Sequence, residues 1–393
     1  MNNLETFRTE ARDWLEANCP ESMRRPYQSE ADACWGGRNY QFQSEDQRLW
    51  LERMAGKGWT VPTWPTQYGG AGLDREHAKV LKEELSRIHA RPAVESFGIS
   101  MLGPALLKFG TEELRQQHLP PIVRGEIRWA QGYSEPNAGS DLASLAARAD
   151  DCGDHFNLNG SKVWTSYGDL GDWMFCLVRT DFEAKKHEGI SFVLFDMATA
   201  GVSTRPIKLI SGKSPFTETF FENVRVEKNQ VVGEVNQGWT VAKYLLTHER
   251  EMIAGSGLSK AGGTPISKIA VQAFGKENGM LQNTMLRSDI ARFEMDGRGL
   301  ALTIERARDE VKAGVSLGAV SSLFKYYGTE LNKRRYELLM AINGNDALDW
   351  DGGKNHDGHL PKSWLRTKGN SIEGGTSEIQ LNIVAKRILG LPG

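Results

Sequence analysis

Apolar residues return at intervals of three and four along ETFRTEARDWLEAN from Glu5, SEDQRLWLERMAGKGW from Ser44 and DREHAKVLKEELSRIHA from Asp74. That period gathers apolar side chains on one face of a helix, so helices are predicted across much of Leu4 to Arg124. Loops such as VPTWPTQYGGAGLD punctuate them. GGAGLD, Gly69 to Asp74, lacks the full GxGxxG spacing after a buried strand and reads as a helix-connecting turn, with Asp74 the N-cap of the next helix.

From about Gly125 to Gly238 the period shortens toward two. WMFCLVRT, GISFVLFD, GVSTRPIKLI and TETFFENVRV are short strand-like runs separated by turn residues, and Asn159-Gly160 inside HFNLNGSKVWTS predicts a hairpin. After Gly238 the helical period returns in WTVAKYLLTHEREMIA, from Leu281 to Lys312, in VSSLFKYYGTELNKRRYELLMAI and in TSEIQLNIVAKRILG. The chain therefore divides as 1–124 helical, 125–238 β and 239–393 helical, with the β unit a separate layer.

The chain has 393 residues, enough for two or three units around substantial cores and a buried site. Its 48 Lys and Arg against 50 Asp and Glu, a formal charge of −2, make nucleic acid and anionic membrane poor default partners. Cys19, Cys34, Cys152 and Cys176 are scattered, which reads as a reducing compartment. MNNLETFRTE has no apolar leader, and no apolar run reaches the length of a membrane span, so a cytoplasmic protein is expected. His356 and His359 flank Asp357 in a glycine-rich polar loop without a further partner, so no metal is expected. GxSxG, HExxH and GxxxxGK[ST] are missing, which lowers the expectation of serine hydrolase, zincin and P-loop chemistry.

YSEPNAGSDL, Tyr133 to Leu142, packs a carboxylate before a proline against Gly139-Ser140-Asp141, a combination that can offer N–H groups and a hydroxyl to an anionic or carbonyl-rich ligand. About twenty residues on, Trp164 and Ser166 place an indole beside a hydroxyl. That pair suits a flat heteroaromatic ring, with apolar surface for its face and a hydrogen bond for its edge.

The order EPxAGSD, NGxKxW(T/S), FFENVRV, VGEVNQGW, an Arg-bearing helix, and GGTSEIQ with IVAKRILG resembles the acyl-CoA dehydrogenase family over nearly the whole chain. The resemblance implies an α+β multidomain flavoprotein: an N-terminal helical domain, a central β-barrel or sandwich domain and a C-terminal four-helix bundle. It implies FAD between the β domain and the bundle, and removal of hydrogens across Cα and Cβ of an acyl thioester. By position Tyr133, Ser134, Trp164 and Ser166 resemble the flavin-contacting residues of the β domain. Ser140 resembles the serine that meets the CoA portion, and Thr376 and Glu378 resemble the pair that reaches the cofactor after the last glycine.

Many members place the catalytic base immediately before Gly-Thr-Ser. Here that position is Gly374, with Glu373 one residue early. A branch resembling isovaleryl-CoA dehydrogenase draws its base from the first helix of the C-terminal domain, where this chain has Glu249 followed by Arg250. Glu249 is the expected base, Arg250 supports the substrate side from another angle, Glu373 is the reserve, and Gly374 offers a backbone N–H to the thioester carbonyl.

The chain departs from the family pattern in VQAFGKENGM, where Gln272 and Ala273 precede Phe274-Gly275 and the usual arginine is missing. AINGNDAL, Ala341 to Leu348, is also altered. These departures and SSLFKYYGTEL, Ser321 to Leu331, resemble the branch of steroid side-chain and dicarboxyl-CoA dehydrogenases, in which two different subunits share active sites. The expectation is a dehydrogenase for a bulky or unusual acyl-CoA, in a homo-oligomer or a heteromer, passing electrons to an electron-transfer flavoprotein. An oxidase-like or desulfinase-like reaction and a non-catalytic subunit stand as alternatives.

Overall fold

The computed structural model describes residues 3–27, 30–246, 264–315, 318–351 and 358–392. Its contacts group into two compact units, Met1–Ile207 with Pro215–Leu245, and Lys208–Ser214 with Leu246–Gly393.

The first unit opens with helices α1 (Asn3–Asn18), α2 (Glu45–Gly56), α3 (Arg75–Arg87), α4 (Gly103–Phe109) and α5 (Glu112–Val123). The side chains of Ser44 and Asp74 cap α2 and α3, accepting from the N–H groups of Gln47 and His77. Leu15, Trp50, Leu51, Met54 and Leu81 form the core among α1 to α3. Glu84 is buried beside it and receives Arg8, Arg12 and Arg87.

Seven strands follow in one mixed sheet: β1 (Trp129–Gly132), β2 (Arg148–Asp151), β3 (His155–Ser166), β4 (Trp173–Arg179), β5 (Ile190–Asp196), β6 (Val202–Ile207) and β7 (Phe216–Glu227). β4 lies parallel to β1 and antiparallel to β5, while β3 and β7 pair antiparallel over most of their length. Phe156, Leu158, Val178, Val193, Phe221 and Val224 fill the sheet's core.

The hairpin expected at Asn159-Gly160 does not form. β3 runs unbroken from His155 to Ser166, and its register against β7 shifts between Leu158 and Gly160. Gly160 has φ +136°, and a Cβ there would lie 2.9 Å from Ala147 Cα. Neighbouring backbone therefore demands glycine for close approach, and the extra residue of this bulge lies on β7, where Asn223 has φ +52°. Asn159 spends its side chain across the sheet, its Oδ1 accepting from Asn223 N–H at 2.9 Å.

A helix, α6, covers 238–246 and runs to the edge of the described residues. The second unit holds α7 (Ile266–Phe274), α8 (Thr284–Lys312), α9 (Val320–Asn343), α10 (His359–Thr367) and α11 (Ser377–Ile383). Leu286 and Ile290 pack with Leu338 and Ile342, and Leu300 and Ile304 with Phe324 and Leu331. The helix α10, with its proline in the first turn, begins at His359, which the sequence pattern assigned to a polar loop. Among the described residues no helix is long and apolar enough to cross a membrane, and no cluster of His, Cys, Asp and Glu could hold a metal ion.

Candidate active site

In the first unit, β1 feeds the chain into the Tyr133–Leu142 loop, which is folded by its own glutamate. Glu135 and Ala138 exchange backbone hydrogen bonds of 3.1 and 3.0 Å. The Glu135 carboxylate turns inward, Oε2 accepting from Ala146 N–H at 2.7 Å and Oε1 from Ala147 N–H at 2.9 Å. Lys162 Nζ, on a fully buried side chain, donates to Glu135 Oε1 at 2.7 Å and to the Tyr133 carbonyl at 3.2 Å. The carboxylate before the proline thus shapes the loop and is not free for a ligand.

Lys162 went unnoticed in the sequence. Its signal was its phase, since it falls on the same alternation of β3 as Phe156 and Leu158, both buried. A lysine on an apolar face needs a carboxylate partner there, and Glu135 is that partner.

Ser134 lies alongside β3, its carbonyl accepting from Val163 N–H at 2.8 Å. The Tyr133 ring is 5% exposed and meets Phe175 and Phe192 edge to face. What Tyr133 can present is therefore mainly backbone. Trp164 differs: it sits where the β3 register shifts a second time, has φ +61°, and leaves its side chain 54% exposed. A bulky residue in the left-handed region is uncommon, and here it holds an indole out from the sheet. Ser166, half-buried, closes β3 opposite Phe216.

Ser140 is exposed. Its neighbour Asp141 takes Lys186 at 2.6 Å, and the ammonium, with the Ser144 hydroxyl, holds the Asp141 carboxyl below its ordinary range. The loop that carries Ser140 is pinned on both sides.

In the second unit, SIEGGTSE is a turn followed by a capped helix. Gly374 and Gly375 have φ +60° and +86°, a left-handed pair that only glycines adopt readily. Gln380, 2% exposed, donates to the carbonyls of Gly374 and Gly375 at 3.3 and 3.4 Å. The Thr376 side chain caps α11, accepting from Ile379 N–H at 3.2 Å, and leaves its O–H to donate elsewhere. Glu378 is exposed in the first turn of α11.

Glu373 is engaged. Arg366 Nη2 donates to its Oε2 at 2.6 Å, and the Asn370 amide donates to its Oε1. Asn370 is itself tied to α9, its carbonyl accepting from the buried Lys325 Nζ at 3.0 Å and its Oδ1 from Asn332 at 2.9 Å. Lys325 is a second cation missed in the sequence, set between the buried Ser322 and Thr329 on one helix face. Burial pushes its ammonium pKa down. Glu249 and Arg250 lie outside the described residues.

Models of acyl-CoA dehydrogenase domains match three successive stretches: the N-terminal domain over residues 2–126, the middle domain over 130–224 and the C-terminal domain over 236–389. The chain belongs to the acyl-CoA dehydrogenase family. It is 33% identical over 400 residues to the acyl-CoA dehydrogenase IpdE1 of Mycobacterium tuberculosis, covering 100% of this chain and 99% of that one. Among solved structures, the Tcur3481-Tcur3483 steroid acyl-CoA dehydrogenase is similar with a TM-score of 0.77 and 31% identity, covering 99% of this chain and 97% of that one. The ChsE4-ChsE5 complex from Mycobacterium tuberculosis gives a TM-score of 0.73 at 27% identity, covering 100% and 98%.

The helical, β-sheet and helical order is that of the acyl-CoA dehydrogenase fold, and the chain is an oxidoreductase of this family, whose members bind FAD. The residues present fit a flat cofactor. In the first unit, the exposed Trp164 indole on its bulge and the half-buried Ser134 and Ser166 supply one apolar face and polar edge contacts.

Proposed function

We propose that the chain dehydrogenates a bulky acyl-CoA thioester across Cα and Cβ, with Glu249 as base. The observation that carries this reading is the commitment of Glu373 to Arg366 and Asn370 beside a base position that holds Gly374. The turn before Thr376 then has no unpartnered carboxylate, which supports a base from elsewhere in the chain. A bulky acyl group is supported by the similarity, at 31% identity, to an enzyme described as a steroid acyl-CoA dehydrogenase.

In this reading the thioester oxygen accepts from Gly374 N–H, a donor fixed by the left-handed turn, which matters most as enolate charge grows on that oxygen. Glu249 removes the α proton, and a dry surrounding raises its proton affinity toward a useful range. FAD supplies a hydride acceptor for the β hydrogen. Trp164 offers the cofactor its indole, Tyr133, Ser134 and Ser166 line it, and Thr376 and Glu378 reach its polar portion. Ser140 contacts the CoA part of the substrate, and Arg250 supports the acyl side.

Electrons then pass to an electron-transfer flavoprotein, in the cytoplasm. Gln272 and Ala273, where the family pattern has an arginine, favour a heteromer in which a second acyl-CoA dehydrogenase-like subunit completes the cofactor site. The divisions 1–124, 125–238 and 239–393 are the domain boundaries of this proposal.

The test is anaerobic bleaching of the flavin by a panel of acyl-CoAs, using the protein alone and with a co-expressed second subunit. Wild type and Glu373→Gln bleach; Glu249→Gln does not. Bleaching that survives Glu249→Gln and vanishes in Glu373→Gln overturns the assignment of the base. Protein that binds no FAD in either form overturns the function.

A further inference from the structure

Three arginines of the first unit are buried, and two have their donors met. Arg91 pairs with Asp32 at 2.9 Å and gives a further bond to the Arg25 carbonyl. Arg179 donates to the carbonyls of Ala143, Lys186 and Glu188. Arg128 is 9% exposed, yet among the described residues no carboxylate or carbonyl accepts from its guanidinium.

Arg128 is instead stacked. Its guanidinium carbon lies 5.0 Å from the centre of the Trp35 ring and 5.1 Å from that of Tyr167. Trp35 in turn meets Tyr167 at 5.6 Å and Phe97 edge to face at 5.6 Å, so the two rings on the cation belong to one aromatic cluster. Aromatic faces attract the cation's plane and leave its N–H edges unserved. The nearby acids do not serve them. Asp172 spends Oδ2 on the backbone N–H groups of Arg38 and Arg128, both at 2.8 Å, and Asp169 is exposed. Burial pulls the pKa of Arg128 down, while Tyr167, Asp169, Tyr40 and Asp172 act the other way through charge alone.

A planar fork stacked on aromatic faces, with no acceptor for its N–H edge among the described residues, matches a carboxylate, which takes two parallel N–H bonds. The rings around it suit the hydrocarbon that would carry such a group. Tyr167 directly follows Ser166 in the chain, so the Arg128 site adjoins the strand end assigned to the flavin edge. We propose that Arg128 recognises a carboxylate on the acyl portion of the substrate, remote from the thioester. The inference rests on the proposed placement of the flavin beside Ser166.

The test uses the flavin-loaded enzyme, with its second subunit if it needs one, and pairs of acyl-CoAs that differ only in a distal carboxylate or its methyl ester. Wild type favours the acid. Arg128→Met lowers kcat/KM for the acid about 30-fold or more, chiefly through KM, as expected for loss of a charge-assisted pair. It changes the ester by less than about 3-fold, a factor below about 0.7 kcal/mol. Arg128→Lys falls between, because an ammonium keeps the charge and loses the fork. Equal losses on acid and ester would assign Arg128 to the phosphates of CoA or to folding and overturn the proposal, as would no loss on either or a wild type indifferent to the carboxylate. If Arg128→Met does not fold, the Lys variant and the wild-type preference decide. Failure of the flavin placement shows separately, as undiminished FAD retention in Ser166→Ala and Trp164→Ala.

Discussion

Arg366 donates to Glu373 Oε2 at 2.6 Å, so the carboxylate nearest the paired glycines is already half of an ion pair. A carboxylate held by a cation is a weaker base than an unpaired one. Glu373→Gln keeps an oxygen for the arginine, and the rate of flavin reduction is expected to change by less than about fivefold. Loss of the proposed base is expected to cost far more, about 10³-fold for Glu249→Gln, within the range of general base catalysis. Anaerobic stopped-flow reduction by a saturating acyl-CoA measures both.

The Lys162–Glu135 pair should weigh more on stability than on chemistry. Lys162→Met leaves Glu135 inside, 9% exposed and without its cation. Breaking a buried pair from one side costs about 3–5 kcal/mol. The expected readout is a lower denaturation midpoint of the flavin-loaded enzyme. Adding Glu135→Gln to Lys162→Met should recover part of the loss, because the unpaired charge is then gone.

Gly375→Ala tests the turn by backbone alone. The residue has φ +86°, and a Cβ would sit 2.3 Å from Gln380 Nε2. Gln380 would have to release the carbonyls of Gly374 and Gly375, and the alanine would carry about 1–2 kcal/mol of left-handed strain. The expected outcome is a loss of kcat with the far-ultraviolet circular dichroism unchanged. Pairing the change with Gln380→Ala should relieve the clash without restoring full activity, since the strain stays.

The helices were legible because their apolar period is long and their caps are explicit, as at Asp74 and α3. The Asn159-Gly160 pair misled because the same glycine that suits a hairpin turn also suits a continuous strand where another backbone comes close, as Ala147 does here. Which one forms depends on whether β7 continues alongside, a contact 60 residues distant that no local pattern carries. The site was legible as a set of motifs and less so as geometry. The sequence could not say that Glu135 turns inward, because its partner Lys162 comes from another strand. Nor could it say that Trp164 faces out, since an indole is more often core. The engagement of Glu373 depended on Arg366 and Asn370, which no motif marked.

Glu84 gives the first unit an acid-sensitive joint. Its carboxylate is 2% exposed and takes two bonds of 3.0 Å from Arg12, one of 2.7 Å from Arg87 and one of 3.2 Å from Arg8. The Arg12 guanidinium first, then Arg87 and Arg8, hold its pKa down at about 2 against the burial that would raise it. An unfolded glutamate titrates near about 4.3. Because the folded value is the lower one, this group's contribution to stability is complete above the unfolded pKa and is lost as pH falls from there toward about 2. Wild type should therefore lose stability over that window more steeply than Glu84→Gln, measured as the denaturation midpoint against pH. The variant should also be less stable than wild type at neutral pH, because three arginines then face one neutral amide. If the two proteins show the same slope between pH of about 4.3 and about 2, the joint does not link α1 and α3 through this charge.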